Sequence, residues 1–234
     1  MNIMKYIRRA SERGQVNMGW LQSNHSFSFG SYYDAKHMGV SVLRVINDDV
    51  VKPGQGFGTH GHKDMEIISY VIEGELKHKD STGNTYVVPA GDVQLMSAGS
   101  GIRHSEFNAS KSKKVNFLQI WIQPNVNNVK PGYQQTTIEQ KEQLTPIVTP
   151  KGEGGALSIH QDASIYRLAL SSGDTFTLKT EQRMGYLHVV KGGFKVGQQY
   201  FSAGDAFAVD AHESTNIEAD ESVEALWFDL PIID

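Results

Sequence analysis

The stretch Gly58-Thr59-His60-Gly61-His62 sets two histidines one residue apart. A strand repeats every two residues, so His60 and His62 share a face wherever residues 57–63 are extended. Downstream, in Gly101-Ile102-Arg103-His104-Ser105-Glu106, His104 and Glu106 have the same spacing. Alone, either pair fits an ordinary polar strand face. Together, on neighbouring strands, they can converge three imidazoles and one carboxylate on a single point. The chain has no cysteine, so a metal must be held by His, Asp or Glu. Such a nitrogen and oxygen set suits a borderline divalent ion: Fe, Ni, Cu, Mn, Co or Zn. It leaves coordination positions open, as chemistry requires and a closed structural site does not. Gly58 and Gly61 flank the ligands, which fits either a close approach of substrate or a β-bulge. His25, His37, His78, His160, His188 and His212 have no such partner and read as surface or structural.

The elements that must position these groups are strands. Apolar runs are short and β-rich: residues 40–46, 65–76, 84–96 and 115–124. Gly, Pro, Asn and Asp separate them at the spacing of antiparallel sandwiches and barrels. Ser81-Thr82-Gly83-Asn84 reads as a hairpin turn. Residues 136–146 are the one plausible helix or long connector. A weak internal repeat is also present. Each half has an apolar strand, a Gly turn (Gly74, Gly192), another strand, then Ala-Gly-Asp at 90–92 and 203–205. This predicts two similar domains, taken as 1–135 and 136–234. His-x-His occurs only in the first, so only the first should bind metal.

The totals exclude several classes. Of 234 residues, 39% are hydrophobic, enough for a core, and the net charge of −4 does not favour nucleic acid. The basic cluster Lys111-Ser112-Lys113-Lys114 reads as a solvated turn. Charges appear by Lys5 and no apolar run reaches membrane-span length, so a cytoplasmic protein with no membrane partner is expected.

Residues 53–76, 83–106 and 19–34 resemble the pirin family of the cupin superfamily, especially bacterial pirin-like proteins with quercetinase activity. The resemblance covers nearly the whole chain. It implies an all-β bicupin: two cupin β-barrel or jelly-roll domains packed face to face, metal in the first. The family's ligands carry over onto His60, His62, His104 and Glu106, the four already picked by spacing. The usual second-motif histidine position of cupins is Gln94 here. Glu66, at the first-motif glutamate position, is aimed inward by strand parity and is expected either to orient a histidine or to serve a simple surface role. The implied activity is a quercetin 2,3-dioxygenase-like cleavage of a flavonol by O2 with release of carbon monoxide. Fe is the first expectation for the metal, and Glu106 the catalytic base. Phe57, Phe107 and Met96 are candidate pocket walls. The alternative is a metal- or redox-responsive regulator acting through a protein partner. The chain is expected to be a monomer.

Overall fold

A computed structural model describes Met4 and residues 6–233. Twenty-two strands occupy the described residues. In the first half these are β1 (Tyr6–Arg8), β2 (Gly14–Asn17), β3 (Leu21–His25), β4 (Leu43–Val51), β5 (Gly56–His62), β6 (Glu66–Glu73), β7 (Glu75–Asp80), β8 (Thr85–Pro89), β9 (Asp92–Ser97), β10 (Ile102–Asn108), β11 (Val115–Ile122) and β12 (Gly132–Thr137). The second half carries β13 (Leu144–Thr149), β14 (Leu157–Ser158), β15 (Ser164–Leu170), β16 (Thr175–Lys179), β17 (Met184–Lys191), β18 (Gly193–Val196), β19 (Gln199–Ser202), β20 (Ala206–Val209), β21 (Ser214–Ala219) and β22 (Val223–Leu230). The helical residues described are two short 3-10 turns, Ala10–Glu12 and Glu153–Gly155.

The strands form two barrels of like construction. In the first, a seven-stranded sheet, β12-β9-β6-β11-β4-β3-β2, faces a four-stranded sheet, β5-β10-β7-β8. In the second, β1-β20-β17-β22-β15-β13-β14 faces β16-β21-β18-β19. The two seven-stranded sheets then pack back to back on each other. Ile68, Tyr70, Leu118 and Ile120 of one meet Ile165, Tyr186, Leu226 and Phe228 of the other in one buried cluster. This is the bicupin arrangement.

The strand sequences follow from which faces are covered. β6 is buried along Glu66–Val71 because Ile68 and Tyr70 face the other domain while Ile67, Ser69 and Val71 face the barrel interior. Covering both faces turns the pattern into a nearly continuous apolar run. β7 and β10 have one face in solvent and alternate strictly. Tyr70 Oη donates to Glu224 Oε1 at 2.7 Å across the domain interface.

The turn at 81–84 joins β7 to β8 as a hairpin. Of the two readings of 136–146, the connector is the one found: Thr136 and Thr137 close β12, and β13 opens at Leu144. The basic cluster 111–114 is an exposed turn between β10 and β11. The expected boundary at 135/136 falls inside β12, all of which pairs with β9. We therefore propose that the domains divide in the connector 138–143. β1 crosses that division, pairing with β20 of the second barrel. Arg8, on β1, is buried and donates from Nε to Ser26 O and from Nη2 to Tyr32 Oη, at 2.9 and 2.7 Å.

Candidate metal centre

β5 and β10 are antiparallel neighbours, with His60 directly opposite His104 and His62 opposite Ile102. Register then slips: Glu106 pairs with Phe57, so β5 holds one residue more than β10 in this interval. This bulge falls at Gly58-Thr59, and of the two readings of Gly58 it is the one the register supports. The bulge reverses parity, so Phe57 joins His60 and His62 on the inner face. A Cβ would meet nothing at Gly58 and only ordinary contacts at Gly61. The glycine that close approach requires is Gly56, where a Cβ would collide with the Glu106 carbonyl oxygen.

The donor atoms of His60, His62 and His104 lie within 4.8 Å of one another. His104 Nε2 stands 3.1 Å from His60 Nε2. His60 Nδ1 donates to Gly58 O at 2.8 Å, which fixes the tautomer and leaves Nε2 as the free lone pair. His62 Nε2 is buried with no hydrogen-bond partner. Burial, then the neighbouring His104 and His60, lowers His62 to about 4. Burial, then His60 and His78, lowers His104 to about 3. Both rings are thus neutral, lone-pair donors well below neutral pH.

Glu106 belongs to an overlapping group with His104 and His78, whose donor atoms also lie within 4.8 Å of one another. It is 1% exposed and held by three neutral donors. Ser69 Oγ and Gln94 Nε2 donate to Oε1, each at 3.0 Å, and Gln119 Nε2 donates to Oε2 at 2.6 Å. These donors form part of one polar row across six strands. His25 pairs with Asn47, Asn47 with Gln119, Gln119 with Ser69, Ser69 with Gln94, and Gln94 with Gln135. Gln94, standing where other cupins have a ligand, thus holds a ligand candidate instead.

Several expectations need correction. Of the two readings of His78, surface or structural, the structural one is found: it is fully buried, and its Nε2 meets Asp80 Oδ2 at 3.0 Å. The alternation Leu76-x-His78-x-Asp80, with charged residues between, puts it on the inner face of β7. That signal was present in the sequence. His25 also lies inside, at the cavity described below. Glu66 is buried but turns to the domain interface, accepting from Ser97 Oγ at 2.9 Å and lying 3.4 Å from His160 Nδ1. It therefore meets a histidine, though none of the three that converge. Met96 belongs to a small core cluster with Ile67, Ala98 and Ile102, and Phe107 faces solvent. Of the three proposed wall residues, Phe57 alone lines the cavity at the centre.

That cavity has a volume of about 220 Å³ and reaches His60, His62 and Glu106. Trp20, Phe29, Phe57 and Trp121 are among its walls. Phe57 meets Trp20 edge-on at 5.3 Å between centroids, Phe29 meets Trp121 at 5.3 Å, and Trp121 meets His62 at 5.0 Å. The two groups share His104, His62 Nε2 is an unpartnered buried nitrogen, and such a set of imidazole nitrogens with a carboxylate fits one divalent metal. Among the described residues, both groups of possible metal donors lie in the first barrel.

Residues 6–122 match the family model described as Pirin, and residues 146–230 the one described as Quercetinase C-terminal cupin domain. The chain belongs to the pirin family. It is 46% identical to a quercetin 2,3-dioxygenase of Escherichia coli K12 over 97% of this chain and 99% of that protein. A putative quercetin 2,3-dioxygenase of Pasteurella multocida is 40% identical over 97% of this chain and all of its own length. The crystal structure of the bacterial pirin YhhW of E. coli in complex with nickel(II) superposes with a TM-score of 0.93, at 45% identity over 97% of this chain and 99% of that one.

Proposed function

We propose that this pirin is a metal-dependent dioxygenase that opens the central ring of flavonols such as quercetin with O2, releasing carbon monoxide. The observation that carries the reading is the junction of an open donor set with an aromatic cavity. His60, His62, His104 and Glu106 are the proposed ligands. The metal is a single divalent ion, for which the nickel of the E. coli relative is one precedent and iron the sequence expectation. When bound, it would supply Lewis-acid polarisation of the flavonol 3-hydroxyl.

The chain's own residues do the rest. Glu106, aimed by Ser69, Gln94 and Gln119, accepts the 3-hydroxyl proton. Trp20, Phe57 and Trp121 hold the flat rings and exclude water. Both oxygen atoms of O2 enter the opened product, and one ring carbon leaves as carbon monoxide. A cavity of about 220 Å³ takes part of a three-ring guest. The remainder stands in the mouth beside Met18, which is exposed. The names of the relatives favour this reading over regulation through a protein partner. No helix among the described residues is long and apolar enough to cross a membrane.

The test is metal-reconstituted protein, prepared without oxygen, then mixed with quercetin and O2. Loss of flavonol absorbance with stoichiometric carbon monoxide supports the proposal. Unchanged absorbance with every divalent metal tried refutes it.

A further inference from the structure

The polar row beside the metal centre is satisfied at one end and not at the other. Glu106 takes the donors of Gln119, Ser69 and Gln94, and Tyr133 Oη donates to Gln94 Oε1 at 2.9 Å. At the other end lie His25 and Asn47, with Ser23 and Asp49 as the adjacent cross-strand pair. All four are more than nine-tenths buried. All four line the cavity that reaches His60, His62 and Glu106. His25 Nδ1 and Asn47 Oδ1 have no hydrogen-bond partner among the described residues, while Ser23 Oγ and Asp49 have only each other.

Buried polar groups cost free energy unless they are paired, and a native core holds few such orphans. These four buried polar side chains lining one cavity, two of them with a wholly vacant atom, are a recognition surface. The chemistry they accept can be read from the atoms. Asn47 Oδ1 accepts only, Asp49 Oδ1 accepts when the carboxyl is ionised, and Ser23 and His25 adapt to either role. The missing partner is therefore a hydrogen-bond donor. It must be small and neutral, because the surrounding wall is Trp20, Leu21, Phe29 and Phe57. The same burial that pushes the Asp49 carboxyl up to about 7 disfavours a charged partner.

We propose that Ser23, His25, Asn47 and Asp49 form a second binding subsite, which takes a phenolic hydroxyl on the part of the substrate remote from the metal-directed oxygen. This rests on the dioxygenase reading for the position of the substrate, and it narrows the substrate class. The preferred guest is a polyhydroxylated aromatic with a hydroxyl at each end, rather than any molecule that can chelate.

Two ligands separate the possibilities. Quercetin and 3-hydroxyflavone share the 3-hydroxyl and adjacent carbonyl, but only quercetin has hydroxyls on its outer rings. Calorimetric titration of anaerobic, metal-loaded protein should give quercetin a roughly ten- to hundredfold tighter Kd, as expected for hydrogen bonds that fill buried vacant acceptors. The preference should persist in metal-free protein. It should collapse to about twofold or less in Asn47→Leu and Asp49→Leu, which keep side-chain volume and remove the acceptors. Thermal melts verify that these variants fold, and the wild-type comparison stands without them. Equal wild-type affinities for the two flavonols overturn the subsite, as does a preference that folded variants retain. Tight, selective binding of quercetin without turnover in O2 leaves the subsite standing and removes the dioxygenase reading instead.

Discussion

Replacing Gln119 with leucine removes its short bond to Glu106 and a long 3.4 Å one from Ser69 Oγ, with little change in volume. In the wild type, Gln119 Nε2 donates to Glu106 Oε2 at 2.6 Å inside a barrel where Glu106 is 1% exposed. Ser69 and Gln94 both hold the other oxygen, so no second donor replaces the lost one. A hydrogen bond to a charged group contributes about 1.5–3 kcal/mol net. With about 1.4 kcal/mol per factor of ten, that is roughly ten- to hundredfold. The carboxylate is freed to rotate about its end, so metal affinity and kcat/KM for quercetin should both fall within that range, the size typical of losing a group that orients a ligand. Metal affinity is read by competition with a chromophoric chelator, and turnover by flavonol absorbance. If both stay within twofold of wild type while the variant melts normally, Glu106 is neither a ligand nor the base, and the row of donors serves only packing.

Other outcomes follow from the same geometry. Glu106→Gln, similar in size but without a basic oxygen, should lower kcat by at least about a hundredfold; turnover within tenfold of wild type would place the base elsewhere. Asp80→Leu strands the fully buried His78 Nε2, costing about 1–3 kcal/mol and lowering Tm by roughly 2–12 °C; an unchanged Tm would show the pair contributes nothing. His188, on β17, is buried, and burial first, then Arg13, lowers it to about 3. The unfolded chain binds that proton more readily, so stability should be full above about pH 6.5 and decline as pH falls from there toward 3. Thermal melts of His188→Gln should lose much of that acid dependence; an identical pH profile contradicts the assignment.

The two barrels were legible because antiparallel strands with one solvated face advertise themselves by alternation, and because the Ala-Gly-Asp turns recur in both halves. The convergence of His60, His62 and His104 was legible because two-residue periodicity fixes a face whatever the fold. What local pattern could not reveal was register. The bulge at Gly58-Thr59 brings Phe57 inward, and only pairing across β5 and β10 exposes it. The same holds for the polar row, whose members are spread from His25 to Gln135 and meet only through five cross-strand pairings. Glu66 misled because parity fixes a face, while both faces of β6 are buried and the carboxylate meets the domain interface. β1 was invisible as an exchange between barrels because three residues carry no pattern of destination.

We propose that His60, His62 and His104 hold one catalytic divalent ion. Metal content per chain, measured after exhaustive dialysis for wild type and His104→Ala, addresses it most directly. About one ion per wild-type chain is expected and, in a folded variant, a loss of nearly all of it together with flavonol turnover. A folded His104→Ala protein that keeps a full complement of metal would contradict it.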